Sequence, residues 1–328
     1  MAHPAAIRAI VCPPNRMLVI DEIILNLFQS FIFGTTIMKK LATVIILALS
    51  LTACGTRLVY PHLDWLIPWY VSDYISLDRD QKNILEKRLA KLLDWHCRTQ
   101  LPAYAVTLRA LGRDLADSAD PVDLATLKAY HTRILALWQD LVQKISPDIT
   151  DILSLASDDQ ISELFDNLAE QNQTFRKKYV DLPPDELIQH RQQRMVKRLK
   201  YWLSDLNPEQ RQAILDWSMK LTPIADQWVQ NREDIQAEAR RLLDLRDDDP
   251  QFRSGMQGLI MHPENMRSAE YQHKIDINTG ITLKLLVQLN QMLTEDQRSH
   301  LLDRIESLAA DFDTLSCDPE TLPQPKFN

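Results

Sequence analysis

Apolar residues recur along this chain at alternating steps of three and four, the spacing of one face of an α-helix. Leu124, Leu127, His131, Ile134, Trp138, Leu141 and Ile145 form one such stripe, and Leu301, Ile305, Leu308, Phe312 and Leu315 form another. Stripes of this kind bury one helix face against other helices. Strand-like segments bounded by turn glycines are missing. Prolines at 102, 121, 147, 183, 184, 250 and 263 punctuate the predicted helices, and Pro223 predicts a kink within one. The expected fold is all-α, an irregular multi-helix bundle of about eight to ten helices.

A short polar motif marks where four of these helices begin. It reads LDRDQ (77–81), ASDDQ (156–160), LNPEQ (206–210) and LTEDQ (293–297). Asp78, Ser157, Asn207 and Thr294 are each followed three positions later by Gln81, Gln160, Gln210 and Gln297. This is the capping-box arrangement: the cap side chain accepts from the third helical amide, and the glutamine reaches back to the amide of the cap. The intervening acids Asp80, Asp159, Glu209 and Asp296 suit the positive end of the helix dipole. Leu77, Ala156, Leu206 and Leu293 precede the caps as hydrophobic staples, and Leu85, Leu164, Ile214 and Leu301 open the buried stripes. The motifs lie 79, 50 and 87 residues apart, too unevenly for a regular solenoid.

The N-terminal pattern is different. MKKLATVIILALSLTAC (38–54) has a start methionine, Lys39, Lys40 and an apolar run from Leu41 to Leu51, the parts of a secretory signal. The run is too short to cross about 30 Å of hydrocarbon as a helix. Leu51-Thr52-Ala53-Cys54 resembles the lipobox of bacterial lipoproteins, in which the cysteine is acylated before the signal is removed. That resemblance implies a signal peptide at 38–53, lipid such as palmitate on Cys54, and a mature chain beginning there. Residues 1–37 then read as an extension from a start codon placed too far upstream. Gly55 stands where an aspartate commonly retains such proteins in the inner membrane, which favours the periplasmic face of the outer membrane. The expected division is 1–37 extension, 38–53 signal, 54–320 a single all-α periplasmic domain, and 321–328 an irregular tail.

Composition narrows the chemistry. Removing residues 1–53 shifts the formal net charge from −8 to −10, unsuited to sequence-independent nucleic-acid binding, which needs clustered Lys and Arg. The five glycines after Cys54 are Gly55, Gly112, Gly255, Gly258 and Gly280, so neither a P-loop nor a dinucleotide fingerprint can be built. Beyond Cys12 and Cys54 the cysteines are Cys97 and Cys317, which in an oxidising periplasm could pair and tie the C-terminus to the first long helix. Only their distance decides it.

The segment LVYPHLDWLIPWYVSDYISLDRDQ (58–81) carries Tyr60, Trp65, Trp69, Tyr70 and Tyr74 close behind Cys54. An aromatic belt at a membrane interface competes with an aromatic core; Asp64 and Asp73 favour the core. This run, continued by LEKRLAKLLDWHCRTQLPAYA (85–105), resembles the uncharacterised proteobacterial lipoprotein family known as domain of unknown function 6279. The residues carrying the resemblance are Leu63-Asp64-Trp65, Trp69-Tyr70, Asp78, Gln81, Arg88-Leu89, Trp95-His96, Leu101-Pro102 and Tyr104. It implies a family spanning nearly the whole mature chain, with a basic residue where this chain has Cys97, and it implies no activity. Thr294 and Gln297 also match the Leu-Thr-x-x-Gln pattern of small periplasmic helical chaperones of the envelope-stress type, with LNPEQ a near match; the same pattern is simply a capping box after a leucine.

Few residues invite a chemical role. His96 could act as acid or base with Asp94 or Glu86, or sit partly buried with one hydrogen bond, the reading favoured. His62, His131, His190, His262, His273 and His300 are scattered without zinc-ligand spacing. No GxSxG is present, and Asp247-Asp248-Asp249 before Pro250 reads as a solvated loop. Arg191, Arg194 and Arg198, with Lys197 beside them, would share a helix face able to meet anionic headgroups or an acidic partner; a solvated or internally paired face is favoured. The expected function is a lipid-anchored envelope binding or scaffolding module without cofactor, metal or enzymatic activity, its partners the membrane and an envelope protein. A chaperone-like holdase is the alternative.

Overall fold

A computed structural model describes residues 55–117 and 121–317. The extension, the signal segment, Cys54 and the tail at 321–328 lie outside these residues. The described chain is helical, with no β-strand among the described residues. A short α1 (Gly55–Val59) and a 3-10 turn (Tyr60–His62) lead into α2 (Leu63–Val71). Then come α3 (Arg79–Trp95), a π-helical turn (His96–Gln100), α4 (Leu101–Ala116), α5 (Leu124–Ser154) and α6 (Asp158–Tyr179). They are followed by α7 (Pro184–Leu203), α8 (Pro208–Lys220), α9 (Ala225–Leu243) and α10 (Asp249–Met261). A 3-10 turn (Pro263–Met266), α11 (Ala269–Gln291) and α12 (Glu295–Leu315) complete the order. Ten of these helices have thirteen residues or more, as the periodicity predicts.

All four predicted capping boxes are present, and they come in pairs. Asp78, Ser157, Asn207 and Thr294 each accept from the third helical amide, and each glutamine accepts from the cap amide. The same glutamines clasp one another. Gln81 Nε2 donates to Gln160 Oε1 at 3.0 Å, and Gln160 Nε2 returns the bond to Gln81 Oε1 at 2.7 Å. Gln210 and Gln297 exchange bonds of 2.8 and 3.0 Å in the same way. The second amide hydrogen of each goes to a carbonyl two residues before its partner's cap: Leu155, Ser76, Met292 and Asp205. Two helix starts are thus joined at α3 and α6, and two at α8 and α12, by one repeated polar device. Gln81, Gln210 and Gln297 are buried and Gln160 partly so, which makes matching the donors and acceptors of the device necessary.

The cores lie behind these joints. The largest gathers Tyr70 of α2 and Tyr74 just after it, Trp138 and Val142 of α5, Leu164 and Leu168 of α6, Ala239 and Leu243 of α9, and Phe252 and Met256 of α10. A second packs Met195 and Leu199 of α7, Ile214 and Trp217 of α8, and Leu285 and Leu289 of α11. Helices α9 and α10 touch closely at Gly255, where any Cβ would collide with the buried Leu242.

Three local expectations are corrected. Pro147 does not end a helix; it lies inside α5, which runs on for 31 residues, about 46 Å at 1.5 Å per residue. Pro223 is not a kink but lies in the break between α8 and α9. Of the α5 stripe, Trp138 and Leu141 are buried, whereas Ile134 is 37 % exposed. The α12 stripe does pack: Ile305 and Phe312 are buried against α4 beside Leu115, Leu101 and Ala105.

Candidate functional site

Helices α3 and α4 would be one continuous rod but for the turn between them. Pro102, at the start of α4, has no amide to offer the carbonyl one turn back, and its ring crowds that carbonyl. The chain answers by widening: the Leu101 amide reaches back five residues to the His96 carbonyl, leaving a π turn over His96–Gln100. Such turns re-aim side chains and occur often at functional sites.

Several parts of the chain meet here. Cys97 in the turn and Cys317 after α12 form a disulfide with Cα atoms 5.2 Å apart, and the Cys317 amide donates to the Cys97 carbonyl. The chain therefore departs from the resemblance in a consistent way, because a cysteine in place of a basic residue has found its partner. From the N-terminal side, Arg57 of α1 pairs with the buried Asp311 of α12 at 2.6 Å. Tyr60 lies against His96, its hydroxyl oxygen 3.0 Å from Nδ1. The segment that follows Cys54 is thus latched to the π turn and to α12.

His96 is more buried than expected and is not surrounded by acids. Its ring faces Tyr60 at 5.7 Å, Trp95 at 6.4 Å and Tyr104, edge-on, at 5.6 Å between centroids. Loss of solvent lowers its pKa to about 4. Burial, and then the neighbouring Tyr104, holds the Tyr60 proton on; burial, and then Asp140, does the same for Tyr104. With the ring neutral, the Tyr60 hydroxyl donates to Nδ1. Asp94, the partner proposed from sequence, is turned instead to Arg98, whose Nε lies 3.0 Å away. The favoured sequence reading is a partly buried histidine donating one hydrogen bond; here the ring is buried and accepts from Tyr60.

On the outer side of the same turn lies an open cleft of about 410 Å³ lined by Trp95, Thr99, Gln100, Asp140, Gln143 and Lys144. Lys144 Nζ stands 5.7 Å from the Trp95 ring centroid. Gln100 is 5 % exposed, and its Oε1 is buried without a protein donor. The lining offers a cation, a carboxylate, amides, a hydroxyl and an aromatic wall, a set suited to holding a polar or peptide-like group. Apart from Trp95, the sequence alone did not single out these residues. Pro102 two positions after Gln100 was the one local signal of a disturbed turn, while Asp140, Gln143 and Lys144 come from α5 and carry no signature.

The other candidates are placed elsewhere. Arg88 bonds Asp148 at 2.5 Å and Asp151 at 2.6 Å; Arg253 also engages Asp151 as well as Asp249, so α3, α5 and α10 share one ionic network. Burial pushes the Asp151 carboxyl upward, but the hydrogen bonds from Arg253 and Arg88 outweigh it and leave the pKa lowered. The basic segment of α7 is not an outward face. Arg198 is 2 % exposed, Arg194 lies 5.1 Å over Tyr179, and Arg191 and Arg194 line a small cavity of about 70 Å³ with Trp217 and Trp228. Lys197 is only partly exposed. The aromatic segment is divided: Tyr70 and Tyr74 are buried and share a 3.0 Å hydrogen bond, whereas Trp65 and Trp69 are about half exposed, and Asp64 accepts from the Trp65 amide. Among the described residues no group of His, Cys, Asp and Glu could hold a metal ion, and no helix is long and apolar enough to cross a membrane.

No curated protein and no solved structure matches this chain. A family model does, over residues 73–272, the stretch that holds Gln81, Arg88, the π turn with Trp95 and His96, and the cleft. Asp64, Trp65, Trp69 and Tyr70 precede it, and α12 with Cys317 follows it. The chain belongs to the family of unknown function DUF6279.

Proposed function

We propose that this chain is a lipid-anchored binding or scaffolding module of the Gram-negative envelope, held at the periplasmic face of the outer membrane through Cys54. Its π-turn cleft would receive an envelope protein. The observation that supports this most is the latch: Arg57 and Tyr60, within six residues of Cys54, are bonded to Asp311 and His96. An anchor at Cys54 would then hold the whole bundle in one attitude, as a scaffold requires, with the cleft a short distance from the anchored end. Binding is preferred to catalysis because the conspicuous histidine is neutral and enclosed by aromatic rings.

The test is site-specific photocrosslinking in cells with a reactive residue at Thr99 or Gln143, combined with alkyne-palmitate labelling. A discrete protein adduct from the cleft positions, and label lost in Cys54→Ser, are expected. A lipid-labelled chain that gives no adduct from either position would overturn the cleft as the binding surface. The holdase alternative calls for a continuous apolar surface. Outside α1 and α2, the exposed large apolar residues among the described residues fall one to an element, Val106 on α4, Ile134 on α5, Leu155 after α5, Met219 on α8 and Ile277 on α11, which favours it less.

A further inference from the structure

We propose that Leu58, Trp65 and Trp69 form an interfacial contact that seats α1 and α2 in the headgroup layer of a zwitterionic phospholipid bilayer. The inference rests on the reading of Cys54 as the lipid-bearing residue.

Helix α2 has two apolar faces. Leu63, Ile67 and Tyr70 are buried, the first two packing with Leu89 of α3. Trp65 and Trp69, four residues apart and so on one side of the helix, point outward at 49 % and 53 % exposure. Of the seven tryptophans in the chain these are the two exposed ones, since Trp138, Trp217 and Trp228 are buried and Trp95 and Trp202 partly so. Leu58, on α1, is 65 % exposed. Half-exposed indoles are costly in water and favourable where one edge meets hydrocarbon and the N–H meets water or headgroup oxygen.

The position of the patch decides its occupant. Residues 55–69 span at most about 24 Å along their helical and 3-10 turns, so the patch cannot be far from an acyl chain attached just before Gly55. The latch through Arg57 and Tyr60 prevents the segment from trailing away as a free tether. Charge selects the lipid. Asp64 and Asp73 are exposed on this segment, and Arg57 is engaged by Asp311, so an anionic surface would be repelled and a zwitterionic one tolerated.

The full chain, produced in a Gram-negative host and reconstituted into phosphatidylcholine vesicles with brominated acyl chains, tests this by quenching of tryptophan emission. The wild type should lose roughly a quarter of its emission, the share of two indoles among seven. Trp65→Phe/Trp69→Phe, at exposed positions and with unchanged helical circular dichroism, should lose several-fold less. Equal quenching of both proteins overturns the contact. The mass of the N-terminal peptide separates the two failures: a diacylglyceryl adduct with equal quenching sinks the contact alone, and a peptide without the adduct sinks the anchor and the contact together.

Discussion

His96 shows how much a single side chain can owe to its surroundings. In the unfolded chain it titrates near the ordinary histidine value of about 6.5, whereas in the fold burial lowers its pKa to about 4. Between those values the unfolded chain binds the extra proton, so stability falls as pH drops from about 6.5 to about 4, by as much as about 3 kcal/mol from this group. Urea midpoints measured across that range should fall, and the slope should flatten in His96→Gln. Trp95-His96 stood out in the sequence, but the ring's environment did not, because Tyr60 lies 36 residues away and nothing in the local pattern announces the contact. Ser204, which ends α7, offers a second test. Its φ of 64° is one that glycine adopts without penalty, so Ser204→Gly should stabilise the protein by about 1 kcal/mol in denaturant titration.

At the scale of elements, helix starts were the most legible feature, because a cap and its glutamine act within four residues and leave a local signature. Their pairing was not legible. Nothing in LNPEQ says that Gln210 will grip a glutamine 87 residues on rather than face water. The pairing predicts strong coupling. Gln210→Ala should cost about 2–3 kcal/mol, since it leaves buried amide groups of Gln297 without partners. Adding Gln297→Ala should cost much less than its separate effect, and a double-mutant cycle that gives no coupling would contradict the clasp. Pro147 marks the converse limit. A proline reads as punctuation, yet the packing of α5 against α3 and α10 carries the helix through it. The cleft was beyond local reading for the same reason as the clasp: α5 supplies half of it.

For the whole molecule, the disulfide has the longest reach, joining residues 220 apart. In the loop-entropy account a closure of this length stabilises the fold by up to about 5 kcal/mol, so dithiothreitol should move the urea midpoint sharply downward, and Cys317→Ser should reproduce the shift without reductant. The sequence named this pair through the arithmetic of its cysteines and left the decision to distance. The all-α class and the number of long helices were equally accessible, being set by periodicity over many residues. The meeting of α1, the π turn and α12 was not, because it depends on how elements from opposite ends of the chain are brought side by side.

The same bond makes a covalent ring of nearly all the helices, from the π turn through α12. A protease that cuts once anywhere between Cys97 and Cys317 therefore releases nothing: both pieces stay joined, migrate together on a non-reducing gel and part only when the sulfurs are reduced. Loss of a fragment from within this ring requires two cuts, or one cut and a reductant.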